Sequence, residues 1–275
     1  MKTKLLVYAT LIGLLAAFCA LPAVGQTVTA AITGVVADPS GAVVTGATVT
    51  AENTATGVRT AAQTNGTGAY TIRFLPIGNY TLNVTAQGFA ASRIDGIVLE
   101  IDQTAKVNVE LKIRSAETTV VNETVHPILD TTDSTLGNTL TTTEIQNIPL
   151  NGRNFSALTL FQPGAVDTDP TGMSSGNAIE RNTYNSGVAS INGNREQANN
   201  YLLEGADNNE PQNNLIGYNP APDAIQQLRV VSGNANATYG NANGGAIVAI
   251  LKSGTNNYHG SAYDFLQSQI LDANT

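Results

Sequence analysis

The sequence has little cysteine, histidine, tryptophan or charge, and each shortage excludes a class of function. Its single cysteine, Cys19, lies in an N-terminal segment that we expect to be cleaved off. The remaining chain can then form neither a disulfide nor a thiolate metal site. The two histidines, His126 and His259, lie far apart and fit no HExxH motif, so the sequence offers no zinc-peptidase site. We therefore expect no enzyme activity, no bound metal and no cofactor.

The low charge and its sign exclude nucleic-acid binding. Charged residues make up 12% of the chain and aromatic residues 5%, there is no tryptophan, and the net charge is −8. Phosphate backbones require a basic surface, which this chain does not provide. Small and polar residues take the place of charged ones, and this composition favours strands and turns over salt-bridged helices.

The first 25 residues have the three-part arrangement of a secretory signal peptide. Lys2 and Lys4 form a basic start, and the apolar run Leu5–Ala20 follows. Pro22 then ends the run, and small residues precede the expected cleavage after Gly25. A transmembrane helix is the alternative, but the apolar run is shorter than the roughly 20 residues that such a helix needs.

Residues 26–113 are predicted to form a seven-stranded β-sandwich. Short runs of alternating apolar residues are separated by turn motifs, such as Asp38–Gly41. The clearest alternation is in Lys106–Ile113, which predicts one strand with a buried face and a wet face. The close spacing of strands and turns is typical of two packed sheets.

The amino-acid composition changes after the sandwich. Residues 114–143 are polar and rich in threonine, and we expect an extended or mobile link there. Residues 144–254 predict a small α+β domain with long Asn- and Gly-rich loops. Its strand-like pieces lie around residues 188–191, 201–203, 224–231 and 246–251. Residues 258–267 alternate again, as in a barrel strand with interfacial aromatics or in an ordinary amphipathic strand.

Several segments resemble known families when taken in order. ITGVVADPSGAVVTGATVT and LPIGNYTLNVTAQGF resemble the carboxypeptidase regulatory-like domain, a β-sandwich also grouped with carbohydrate-binding-like folds. IQNIPLNGRNFSALTLFQPGAV, YLLEGADNNE and the run from Ile225 to Gly254 look like the plug of an Oar-like TonB-dependent outer-membrane receptor. The resemblance covers nearly the whole chain.

The resemblance implies a mainly β protein with five parts. These are a signal peptide (1–25), the sandwich (26–113), a link (114–143), the plug (144–254) and the start of a β-barrel (255–275). It also implies an outer-membrane receptor with its N-terminal domain facing the periplasm. TonB would energise the uptake of an unknown substrate, such as a glycan or a chelate. Because barrel strands need about 9–11 residues each, the resemblance implies that nearly all of the barrel is missing from this chain.

The resemblance also implies candidate site residues. The link contains a segment similar to a Ton box, which would pair with TonB by adding a strand; it comprises Glu117, Thr118, Thr119, Val120 and Val121. A simple Thr/Val-rich link is the alternative. Glu204 and Asp207 are expected to touch substrate because of their position in the plug. Residues 207–210 offer oxygen ligands without EF-hand spacing, so a polar loop is the preferred interpretation there.

The sandwich supports a second function. Its aromatic residues would serve either as a sugar-stacking surface or as core packing with a tyrosine corner, and we prefer core packing; they are Tyr70, Phe74, Tyr80 and Phe89. The alternative to the receptor is a secreted or periplasmic carbohydrate-binding β-sandwich module. An accessory domain of an enzyme ranks third.

Overall fold

The computed structural model describes residues 29–114, 120–124, 135–148, 150, 153–167, 189–212, 214–235, 237–240, 243–258, 260 and 262. Two compact units are present, a first unit built around Thr29–Ser134 and a second unit built around Thr135–Leu251. Strands predominate in both units, so the mainly β prediction is confirmed. The predicted signal peptide and most of the predicted barrel start lie outside the described residues. Within the described part, no helix has the length and apolar character to cross a bilayer.

The first unit is a sandwich of two sheets. Its strands are β1 (Ala30–Ala37), β2 (Thr48–Asn53), β3 (Arg59–Gln63), β4 (Ala69–Leu75), β5 (Gly78–Thr85), β6 (Ala91–Leu99), β7 (Thr104–Lys106), β8 (Val109–Glu110) and β9 (Val120–Thr124). One sheet has the order β4-β1-β7, with β8 also paired to β1, and the other has the order β3-β2-β5-β6-β9. The predicted sandwich is therefore confirmed, and it has more strands than the predicted seven.

Two tyrosines are part of the sandwich core, as the core-packing interpretation expects. Tyr70 and Tyr80 are each only 2% exposed. The Tyr80 hydroxyl donates to the Pro76 carbonyl at 2.8 Å, and the Tyr70 hydroxyl donates to the Val107 carbonyl at 2.7 Å. Burial raises the pKa of both hydroxyls.

A close contact between Gly34 and Val107 divides the predicted strand 106–113 into β7 and β8. Both short strands run parallel to β1. Between them the Val107 carbonyl lies so close to Gly34 that a β-carbon there would be 1.8 Å from the oxygen. The Asn108 side chain accepts a hydrogen bond from the Val35 N–H at 3.1 Å and so replaces a backbone partner. Val107, Val109 and Leu111 are buried as the alternation predicts, but Ile113 is 70% exposed, and the strand is interrupted where β1 carries a glycine.

We expect Gly34→Ala to destabilise the first unit by about 1–3 kcal/mol, since the added methyl must displace the Val107 carbonyl. Gly66→Ala is the matched control, because a β-carbon at Gly66 meets no atom within 4 Å. The free energy of unfolding of both variants is measured in urea, with hydrogen exchange of peptides from residues 29–113 as the readout. Equal stability of the two variants would contradict the proposed contact.

The second unit is an α+β fold around one five-stranded sheet. Its elements are β10 (Leu136–Thr141), α1 (Thr142–Asn147), β11 (Ala165–Asp167), β12 (Ala189–Ile191), β13 (Asn200–Leu203), β14 (Ala206–Asp207), β15 (Ile225–Gly233) and β16 (Ala246–Leu251). The main sheet has the order β10-β15-β16-β13-β14, and β11 and β12 form a separate pair. Strands β12, β13, β15 and β16 lie where strand-like pieces were predicted. Strand β10 lies inside the predicted link. The sequence did not predict it, because it depends on a long-range pairing with β15.

Helix α1 is stabilised by a capping interaction at its start. The backbone N–H of Thr141 donates to the Glu144 carboxylate at 2.7 Å, and the Thr141 hydroxyl donates to the same oxygen at 2.8 Å. These bonds lower the pKa of Glu144, with the backbone bond as the larger cause. A lowered pKa means that the stabilisation is complete above the ordinary value of 4.5 and is lost as pH falls through the lower folded value.

We expect Glu144→Ala to destabilise the second unit by about 1 kcal/mol at pH 7. The difference from wild type should shrink as pH falls from 4.5 through the lower pKa of folded Glu144, where the bonded carboxylate takes up a proton. Hydrogen exchange of peptides from residues 135–150, measured at pH 7 and pH 3, tests this. Glu144→Gln keeps a neutral acceptor and serves as the control, and a pH-independent difference for Glu144→Ala would refute the assignment.

Candidate functional site

Strand β9 contains the described part of the candidate Ton box. Val120 and Val121 open the strand, and Glu117, Thr118 and Thr119 lie outside the described residues. The strand pairs in parallel with β6, with Val120 opposite Ala91 and Thr124 opposite Asp95. It is the last strand of its sheet, and among the described strands none pairs with its outer edge. An unpaired edge presents backbone donors and acceptors to any further strand.

A polar cluster lies on β6 opposite the last described residues of β9. The Asp95 carboxylate accepts from the Thr81 hydroxyl at 2.7 Å and from the Arg93 side chain at 3.0 Å. These contacts lower the pKa of Asp95, with the Thr81 bond as the main cause. The next residue, Gly96, has a φ of +83°. Among the described residues, the pairing of β9 with β6 reaches as far as Thr124 opposite Asp95.

Arg153 and Asn154 join distant segments of the second unit. Arg153 forms an ion pair with Asp223, with 2.5 Å between Nη2 and Oδ2, and both side chains are largely buried. Asn154 caps the 3₁₀ helix Phe155–Phe161 by accepting from the Ser156 N–H at 3.1 Å. It also accepts from the Asn219 amide at 2.8 Å. The sequence pattern did not predict these contacts of Arg153 and Asn154, and the unusual NGRN composition was the signal that could have indicated them.

A buried asparagine joins the strands at the centre of the second unit. Asn199 is 0% exposed. Its side-chain nitrogen donates to the Ala189 carbonyl at 2.7 Å, and its oxygen accepts from the Gly245 N–H at 2.9 Å. Gly244 permits this approach, since a β-carbon there would lie 2.4 Å from the Asn199 oxygen. The amide thus satisfies one backbone group of β12 and one in the Gly-rich stretch just before β16.

Asp207 borders a small polar cavity of about 180 Å³. Its carboxylate accepts from the backbone and side-chain nitrogens of Asn209, at 2.9 and 2.6 Å. Asn209 also donates to Asn200, which in turn donates to the Tyr239 carbonyl at 2.6 Å. Side chains around the cavity are therefore bonded to one another, which gives a rigid polar wall.

Glu204 has a different environment from Asp207, although both flank the β13–β14 turn. Its carboxylate accepts from the Leu251 N–H at 2.5 Å, and its own φ is +54°. This contact ties the turn to the end of β16, and Glu204 does not line the cavity. Substrate contact by either residue stays a prediction. In the part of the chain that the structure describes, no three His, Cys, Asp or Glu side chains group as a metal site.

Comparison with known proteins places these features in context. Residues 31–112 match the profile of the carboxypeptidase regulatory-like domain, which is most of the sandwich. The TonB-dependent transporter Oar of Myxococcus xanthus is 28% identical over 211 residues, which cover 73% of this chain. The chain therefore resembles the N-terminal region of a TonB-dependent receptor. It spans 18% of the length of that relative.

Solved structures share less with the chain. Catechol 1,2-dioxygenase from Acinetobacter sp. ADP1 is 12% identical, covers 38% of this chain and 60% of its own, and has a TM-score of 0.29. Hydroxyquinol 1,2-dioxygenase from Pseudomonas putida DLL-E4 is 11% identical, covers 34% of this chain and 59% of its own, and has a TM-score of 0.27. Similarity at this level carries no argument about activity.

We expect Asn199→Ala to destabilise the second unit by about 2–4 kcal/mol, since it leaves two buried backbone groups without a partner. Asn194→Ala is the control, because the Asn194 amide makes only a long contact of 3.4 Å with the Ile191 carbonyl. Hydrogen exchange of peptides covering β12 and β16 under increasing urea measures the effect. A loss below about 1 kcal/mol would show that water can replace the amide.

Proposed function

We propose that this chain supplies the sandwich, link and plug of a TonB-dependent outer-membrane receptor. The signal peptide would direct export, and the sandwich would face the periplasm. The plug would gate the uptake of a substrate, and TonB would supply the energy. The similarity to the Oar transporter over both units supports this role. No reaction is assigned to the chain itself, because transport of this kind draws its energy from the coupling partner.

The proposed coupling to TonB depends on the exposed outer edge of strand β9. A partner strand can add to an exposed sheet edge through backbone hydrogen bonds, while alternate side chains provide selectivity. Val120 and Val121, the described part of the candidate Ton box, already adopt strand geometry on β6. The backbone of these two residues is therefore preorganised for pairing, which lowers the conformational entropy lost when TonB binds.

Strand β10 is the first element of the second unit that a pull on the link would reach. It is an edge strand, bonded only to β15 among the described strands. Leu140 is its one buried residue, so few apolar contacts hold it in place. Strands with few buried contacts open at the lowest free-energy cost. Detaching β10 would leave the core strands β15 and β16 paired, so the plug could loosen without complete unfolding.

The test uses a backbone change in β9. Val120→Pro removes one N–H donor and should weaken capture by the periplasmic domain of TonB at least about tenfold, or 1.4 kcal/mol. Val120→Thr keeps the donor and the β-branched shape and is the control. Binding is measured by biolayer interferometry with the mature chain immobilised. Equal affinity of wild type and Val120→Pro would rule out residues 120–121 as the TonB contact.

A further inference from the structure

Phe74 has an unusual backbone conformation and an unusual exposure. It lies in β4 with a φ of +59°, in the left-handed region that aromatic residues rarely adopt. Its side chain is 75% exposed, so packing in the core does not explain the conformation. Phe74 is also the exception among the aromatic residues of the sandwich, since Tyr70 and Tyr80 are buried and Phe89 packs against the core.

A β-bulge produces this arrangement. In the pairing of β1 with β4, Ala30 lies opposite Leu75 and Ile32 lies opposite Ile72, so the register shifts at Arg73 and Phe74. A bulge redirects side chains and often occurs beside functional sites. Here it keeps Leu75 in the core and leaves both Arg73 and Phe74 exposed. A strained residue whose side chain gains no burial indicates a role outside the fold's own packing.

The exposed side chains border a groove of about 470 Å³ on the solvent face of the β4-β1-β7 sheet. Ala31 and Thr33 of β1 lie in the middle strand, so they form its floor. Arg73 and Phe74 belong to one flanking strand, and Asp102–Thr104 belong to the other side. The Thr33 hydroxyl lies 3.3 Å from that of Thr71, which also lines the groove. Small and hydroxyl-bearing residues thus cover the floor.

The residues of the groove match the chemistry of a sugar. One aromatic ring offers an apolar face, on which the C–H face of a pyranose can lie. Arg73 provides a planar set of donors, Asp102 provides acceptors, and threonine hydroxyls provide both. The cationic and anionic groups balance, which does not favour an ionic ligand. The single large apolar side chain offers too little surface for a lipid chain or an amphipathic helix.

We propose that this groove binds a neutral glycan through one or two pyranose rings, with Phe74 as the stacking platform and Arg73 and Asp102 as hydroxyl-bonding groups. The site lies within the first unit and on the sheet that does not contain β9. It therefore stands independently of the TonB proposal. In a receptor it would hold glycan near the sandwich, and in any other exported protein it would serve as the binding site.

The test exploits the strain at Phe74. Phe74→Gly removes the ring and also relieves the positive φ, so the variant should melt at a higher temperature than wild type while losing glycan binding. Few binding-site variants combine these two changes, and misfolding cannot imitate them. Phe161→Ala is the matched control, because Phe161 is an exposed phenylalanine of the second unit. Phe74→Tyr should retain binding, since the aromatic face is kept.

Binding is measured with the full mature chain by saturation-transfer NMR and calorimetry, with maltohexaose, cellohexaose and chitohexaose as probes. At least one probe should bind, and Phe74→Gly should weaken its binding at least about tenfold. The proposal is overturned if no probe receives saturation, or if Phe74→Gly binds as well as wild type. Sedimentation that reveals a Phe74-dependent dimer would also overturn it, since the ring would then serve a contact between copies of the chain.

Discussion

The parallel pairing of β9 with β6 is the interaction on which the proposed coupling depends. It turns a threonine- and valine-rich segment into the edge of the sandwich's larger sheet. An unsupported segment of this composition would sample many conformations, and ordering it costs about 1–2 kcal/mol per residue. Pairing with β6 already orders this segment, so less conformational entropy is lost when a partner strand binds. The fold therefore defines the conformation of the described part of this exposed edge, residues 120–124.

The second unit contains many polar loops and few charges, so its buried polar groups need hydrogen-bond partners. A buried polar group is costly unless it is hydrogen-bonded. Asn199, Asn209 and their neighbours provide the missing partners, since one amide can serve two backbone groups at once. The Arg153–Asp223 pair adds a largely buried contact between distant segments. Asparagine-rich composition is therefore a means of building a compact unit with a modest apolar core.

The sequence predicted the elements whose pattern is local and failed where pairing is long-range. Short apolar runs located β15 and β16, and the turn motifs located the sandwich corners. Strands β9 and β10 were missed, because their threonine-rich segments acquire strand structure only from β6 and β15. The candidate Ton box could be proposed from its composition and place, but its docking on β6 could not. The Asn199 contacts were equally hidden, since they depend on Gly244 approaching from far along the chain.

The two sheets of the sandwich divide its surface between two proposed tasks. The β4-β1-β7 sheet carries the groove at Phe74, and the other sheet carries β9. Their inner faces share one close-packed core that includes Ile32, Leu82 and Ile94. Close-packed interiors resist small deformations, so a ligand in the groove would not shift β9 unless that core had a second arrangement. The groove and the docked strand are therefore best understood as separate binding elements on one rigid scaffold.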